Sequence, residues 1–261
     1  MRSTKYLGVL GALALLLAGC ANGDVESATE SPADPPAVVD HCTDPLAGDP
    51  TDVNAQELAF CQAEGLTKIA GWIQEDTIDG TLASRSRVNI DPLAVEIQSY
   101  TDSGEPGARA ILIRGNTFVE REGKWVQATT ESDDGTMAYQ ATMPMRFEAL
   151  LNPELRAAGT NPDLTYDVIG HETIDGDAVT VLSLQLSDDA ETSNARESRL
   201  YVRDDYVVVH TETTFRVNGS NQVRATVLTT IDEPQKIINP RFENDDESGL
   251  SSESDQASDE Q

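Results

Sequence analysis

Hydrophobic positions change their spacing along the chain. After Asn54, the residues Leu58, Ala59, Leu66, Ile69, Ala70 and Ile73 recur at intervals of three and four, the signature of an amphipathic helix. Asn54 can cap it, and Glu57 stands at the third helical position, from which a carboxylate can reach back to the cap. The spacing therefore predicts a helix through about 55–74. The period then becomes two. Leu93, Val95 and Ile97 alternate with polar residues across 93–100, and Ala110 to Arg114 is a short apolar run. Gly115-Asn116 predicts a turn into 117–122, and Gly123-Lys124 another into 125–129. Further strand-like runs fall at 164–171, 178–186, 198–203, 206–217 and 222–232. Their connections carry turn chemistry at Asp175-Gly176-Asp177, Asp204-Asp205 and Asn218-Gly219-Ser220-Asn221. A helical interruption is expected near 144–151, after Gly135 and before an Asn152-Pro153 stop.

Short links between strands imply antiparallel neighbours. Helices do not alternate with strands, which excludes a parallel α/β fold. The expected class is α+β, a single large curved antiparallel sheet with helices on one face.

The first twenty residues carry an address. Arg2 and Lys5 precede thirteen uncharged residues, Tyr6 to Ala18, too short to cross a bilayer and suited to a secretory signal. The run ends in Leu17-Ala18-Gly19-Cys20, which resembles a bacterial lipobox. That resemblance implies cleavage before Cys20 and a diacylglycerol on its thiol, an anchor of two or three acyl chains that holds where one is marginal. An ordinary signal peptide with a coincidental Cys is the bland reading. Residues 1–19 are read as the signal peptide, 20–41 as an acidic, Pro- and Ser-containing tether, 42–240 as the domain and 241–261 as an acidic tail. Cys42 and Cys61 are the even pair left once Cys20 is set aside, enclosing eighteen residues, so an exported chain predicts a disulfide. Two buried free thiols are the other reading, and no CxxC or Cys/His cluster favours a metal.

Several patterns in order resemble the LppX/LprG-type lipoproteins of the wider LolA/LolB-like group. They are Ile111-Leu112-Ile113-Arg114-Gly115-Asn116-Thr117-Phe118 running through to Trp125, Tyr166-Asp167-Val168-Ile169-Gly170 running to Gly176, Arg199-Leu200-Tyr201-Val202-Arg203, and Ile231 through Ile237-Ile238-Asn239-Pro240. The resemblance covers about 55–240. It implies a strongly curved half-barrel whose concave face is covered by helices, with an apolar cavity between them that takes acyl chains or lipids. The candidate lining is Leu66, Ile69, Ala70 and Ile73 of the first helix with Trp72 beside them, and Met143, Met145, Phe147, Leu150 and Leu151 of the middle helix. Methionine and phenylalanine side by side make an adaptable surface. The alternative is that these residues only pack on the sheet.

Composition narrows the partners. The chain has 46 Asp and Glu against 18 Lys and Arg, a formal charge of −28 over 261 residues. Such a surface does not release counterions from nucleic acid, so no nucleic-acid partner is expected. His41, His171 and His210 are scattered, and no nucleophile elbow, zincin or P-loop motif occurs, so neither an enzyme nor a cofactor is expected. Asp133-Asp134, Asp188-Asp189 and Asp204-Asp205 sit at turn-like positions without the spaced loop of an EF-hand. The expected partners are a lipid or other hydrophobic small molecule and the membrane, through Cys20, on the outer face of the cytoplasmic membrane. No energy source is visible, so directed transfer would need a membrane transporter partner. A non-carrier interaction or sensor module on the same fold is the competing function.

The acidity is not one patch. Five acids fall in the tether, a net −7 in the tail and −18 in the domain, with only 4 Lys against 14 Arg. This composition suits a strongly hydrated surface in high salt. Dialysis to low ionic strength is expected to unfold the protein, read by circular dichroism, and retention of the full signal without salt would count against that reading.

Overall fold

The computed structural model describes residues 41–185, 195–217, 219–238 and 240. Cys20, the signal peptide, nearly all of the tether, Asp188-Asp189, Asn218 and the tail 241–261 lie outside the described residues.

The elements run β1 (Asp52–Asn54), α1 (Ala55–Thr67), β2 (Gly71–Ile78), β3 (Thr81–Asn89), β4 (Ala94–Tyr100), β5 (Pro106–Ile113), β6 (Asn116–Arg121), β7 (Lys124–Gln127), α2 (Gly135–Ala141), α3 (Met143–Leu151), α4 (Pro153–Ala158), β8 (Thr165–Ile174), β9 (Asp177–Gln185), β10 (Ala195–Arg203), β11 (Val208–Val217) and β12 (Ser220–Thr229). All twelve strands form one antiparallel sheet in the order β1-β8-β9-β10-β11-β12-β2-β3-β4-β5-β6-β7. The sheet is curved and open, as expected. Two meanders, β2 to β7 and β8 to β12, join where β12 pairs with β2, from Arg224↔Ile78 to Thr229↔Ile73.

This order dictates where the helices lie. Strand β7 is one edge of the sheet, whereas β8 lies beside β1, the other edge. The connection from β7 to β8 must therefore cross the whole sheet, and it holds α2, α3 and α4. Helix α1 likewise leads from edge strand β1 to β2 near the sheet's middle. The helical layer is thus the path of two connections over one face.

Local chemistry sets the ends. Asn54 caps α1, its Oδ1 accepting from the Gln56 and Glu57 amides at 2.9 and 3.2 Å. The helix does not run to 74 as its spacing suggested. It ends at Thr67, with Lys68 as C-cap, and the chain becomes β2 at Gly71. Gly71 is needed there, because a Cβ would collide with the Val88 carbonyl on β3. Ile69, Ala70 and Ile73 matched helical spacing by coincidence, since Trp72, Gln74 and Asp76 alternate inward along a strand.

Strand β3 has no apolar alternation to betray it. Its inward residues beyond a bulge are Ser84, Ser86 and Val88, and its outward ones are Arg85 and Arg87. The middle helix proves to be three. Asn152 ends α3 and also caps α4, accepting from the Leu155 amide at 3.0 Å, so Pro153 opens a helix instead of only stopping one. Two hairpin turns sit one residue earlier than expected, at Arg114-Gly115 and Glu122-Gly123. With Asp79-Gly80 and Asp175-Gly176 they put both central residues at positive φ, the type I′ geometry that matches strand twist.

Two straps secure the ends of the domain. Cys42 and Cys61 form a disulfide that ties the segment before β1 to α1. Tyr206 adds to it, donating its hydroxyl to Asp44 and accepting from the Leu46 amide. Beyond β12 the chain crosses the sheet on the side away from the helices. Asn89 holds the Gln235 backbone in both directions, at 2.8 and 2.6 Å, and the Ile238 amide donates to Glu96 at 3.3 Å.

Helix α1 approaches the β10–β11 turn through Gly65, where a Cβ would collide with the Asp205 carbonyl. Alanine favours a helix by about 1 kcal/mol over glycine, but overpacking costs about 1–3 kcal/mol. Gly65→Ala is therefore expected to lower thermal stability despite its better propensity, measured as a drop in Tm of several degrees.

Candidate functional site

The face beneath the helices is not uniform. On its β4–β6 side the inward residues are Val95, Ile97, Ala110, Leu112 and Val119, all buried, and α3 lays Met143, Phe147 and Leu150 against them. The spacings of four and three put those three on one stripe of α3. On the β9–β10 side, Leu182, Leu200 and Val202 pack with Val53, Leu58 and the disulfide sulfur of Cys61. Between these apolar flanks runs a polar band along β2, β3, β11 and β12, made of Gln74, Asp76, Ser84, Ser86, Thr211, Thr213 and Thr226, all buried.

Six of the ten expected lining residues, Leu66, Ile69, Trp72, Met143, Phe147 and Leu150, fall in one buried cluster, and Leu151 packs at its margin. The other three do not. Ala70 is exposed in the link between α1 and β2. Ile73 is adjacent to Trp72 on β2, so its side chain takes the opposite face of the sheet. Met145 is 64% exposed, being two positions from both Met143 and Phe147 and hence on the far side of α3. The space between helices and sheet, expected to be an apolar cavity, also receives a buried carboxyl and a buried guanidinium.

Asp76 is the first. It accepts from Ser84 Oγ at 2.6 Å, Thr226 Oγ1 at 2.7 Å and Gln74 Nε2 at 3.0 Å. Burial raises its carboxyl above the ordinary value, and the three donors only partly offset that. Thr226 belongs to β12 and Ser84 to β3, so Asp76 joins three adjacent strands across the meander junction.

Arg156 of α4 is the second. It is 6% exposed, and it reaches the Gln62 side-chain oxygen at 2.5 Å and the Leu150 carbonyl at 3.5 Å. It pairs with no carboxylate among the described residues. Burial draws its guanidinium down to about 10, so it remains a cation at neutral pH. Tyr166 nearby is pushed up, also by burial. A cavity of about 20 Å³ opens beside Arg156, walled by Gln62 and Leu66 of α1, Trp72 and Gln74 of β2, and Val208, Thr211, Thr226 and Leu228 of β11 and β12. It holds about one water molecule.

No protein-family model and no curated protein sequence matches the chain. Solved structures do. In fold the chain is similar to LppX-type and LolA-like lipoproteins. Lipoprotein LppX of Mycobacterium tuberculosis aligns at 15% identity and TM-score 0.43, over 70% of this chain and 97% of that one. LprF of Mycobacterium bovis aligns at 12% and 0.45, over 71% and 96%. A LolA superfamily protein of Nitrosomonas europaea aligns at 14% and 0.24, over 71% and 96%.

The histidines stay apart. His171 meets Thr180 on the outer surface, and His210 lies against the Tyr201 ring and Glu212. Among the described residues no three His, Cys, Asp or Glu converge as metal ligands, and no helix is long and apolar enough to cross a membrane. On the outer face Arg85 pairs with Glu75, Glu96 bridges Arg87 and Arg109, and Arg109 also reaches Glu120.

Asp76 and Arg156 were not found from sequence. Asp76 is one acid among forty-six, and Arg156 lies beyond the expected Asn152-Pro153 stop. The inward register of β2 was the signal for the first, since Trp72, Gln74 and Asp76 are two apart. A carboxyl held above its unfolded value favours folding when protonated. That contribution is complete below about pH 4, the ordinary carboxyl range, and is lost as pH rises through the folded value. Asp76→Asn removes the loss. The Tm of the variant minus that of the wild type is expected to grow from about pH 4 to about pH 8. A flat difference over that range would mean Asp76 is ionised in the fold at no cost.

Proposed function

We propose that the protein is a membrane-anchored extracytoplasmic lipoprotein that holds a lipid or other hydrophobic ligand between its helices and its sheet. The observation that supports this most is the construction of the cover. Helices α2, α3 and α4 are seven, nine and six residues long, below the length at which a helix stands alone in water. They are held by apolar burial, with Met143, Phe147 and Leu150 each contributing about 1.5–3 kcal/mol against the sheet. Burial of that kind is non-directional. An acyl chain slipped between α3 and the β4–β6 flank would replace those contacts with equivalent ones and would break no strand pairing. Cys20 would tether the domain to the outer face of the cytoplasmic membrane. Carriage of the ligand to or from the envelope would need a membrane partner, because nothing in the fold stores or couples energy.

A second reading has its own observation. The cavity beside Arg156, about 20 Å³, is far below the roughly 300–1,000 Å³ of a ligand pocket. A filled interior suits a non-carrier module that binds an envelope protein through its surface. The two readings differ in whether the helical layer lifts.

The full-length protein, extracted from membranes without detergent and examined by mass spectrometry, is expected to carry a bound apolar molecule. Leu150→Asp, which places a charge in the buried stripe, is expected to lose it. Met145→Lys, on the exposed side of the same helix, is expected to keep it. Recovery of ligand-free wild-type protein that also fails to take up an apolar fluorescent probe would remove the carrier reading.

A further inference from the structure

We infer that the cavity beside Arg156 receives the acidic head of a single-chain amphiphile, a carboxylate or a phosphate monoester, with its apolar tail directed under α3. The inference rests on the apolar-ligand reading above and names the chemistry of the ligand's polar end.

Two hydrogen-bond donors without partners meet a buried cation without a counter-charge at this cavity. Arg156 is buried, cationic and supported only by neutral oxygens, those of Gln62 and Leu150. The Gln62 side chain is 5% exposed, and its Nε2 has no partner once its oxygen is turned to Arg156. Trp72 is 2% exposed, and its indole N–H is likewise without a partner. All three side chains line the same cavity. An isolated buried cation is costly, and an unmet buried donor is costly as well. Two unmet donors beside a buried cation ask for an acceptor, and an anionic oxygen pair answers a guanidinium fork best. Asp76 does not supply it, because its two oxygens are taken by Ser84, Thr226 and Gln74.

The walls describe the other half of the ligand. Leu66, Trp72 and Leu228 continue the cavity into the cluster that holds Phe147 and Leu150. A head at Arg156 therefore has an apolar path for its chain toward α3. The space present accepts about one water, so α1 and α4, which carry Gln62 and Arg156, separate from the sheet when the ligand enters.

The experiment compares palmitate, methyl palmitate and acetate by calorimetry on the full-length protein and on three variants. Palmitate is expected to bind at least about tenfold more tightly than its methyl ester, as a charge-assisted hydrogen bond requires, and acetate alone is expected to bind weakly. Arg156→Gln should erase the preference for the acid and leave the ester unchanged, and Arg156→Lys should restore part of it. Trp72→Phe keeps the ring and removes one donor, so it should weaken palmitate by a few fold even if the arginine variants fold poorly. Equal binding of acid and ester, or an acid preference indifferent to both Arg156→Gln and Trp72→Phe, overturns the inference while leaving the apolar site standing. Acetate bound as tightly as palmitate makes this a free-anion site and overturns it too. Binding of neither amphiphile ends both this inference and the carrier reading.

Discussion

The pairing of β12 with β2 is the constraint on which the rest of the molecule depends. It brings the last strand of the chain against the first long one and converts two meanders into one sheet. Once that pair forms, β7 and β8 sit near opposite margins, and the connection between them has only a face of the sheet to cross. The helical cover follows from the strand order and needs no separate docking code. The same junction carries Asp76, whose bonds reach β3 on one side and β12 on the other. A buried polar network is tolerable when every member is satisfied, and this one specifies the register that the meanders share.

The covered face divides labour between its flanks and its middle. The flanks are ordinary apolar packing that supplies most of the stability. The middle is polar, and there the buried donors of Gln62 and Trp72 have no partner. Arg156, Gln62 and Trp72 project into that middle from a helix or the sheet beneath it, so the elements best placed to recognise a ligand are also those that close over it.

Much of this was legible in the sequence. Most strands show their alternation, and Asn54 announces α1. The pair Cys42 and Cys61 is joined as expected. What escaped has physical causes. Strand β3 turns serines inward, so it has no hydrophobic period. The start of β2 follows α1 after three residues, and its apolar residues happened to extend the helical spacing. Met145 belonged to the right helix but the wrong stripe, which spacing from Met143 and Phe147 would have exposed. Arg156 could not be seen, because its burial depends on a contact with Gln62, ninety-four positions away.

The disulfide of Cys42 and Cys61 gives the fold a mechanical direction. It fastens the chain at residue 42 to the interior of α1, about two turns before Lys68 ends that helix. Tension arriving from the N-terminal side is therefore delivered to the helix that forms one wall of the cavity and bypasses the short edge strand β1. A chain pulled from its N-terminal side would feel the load first in α1, at Cys61.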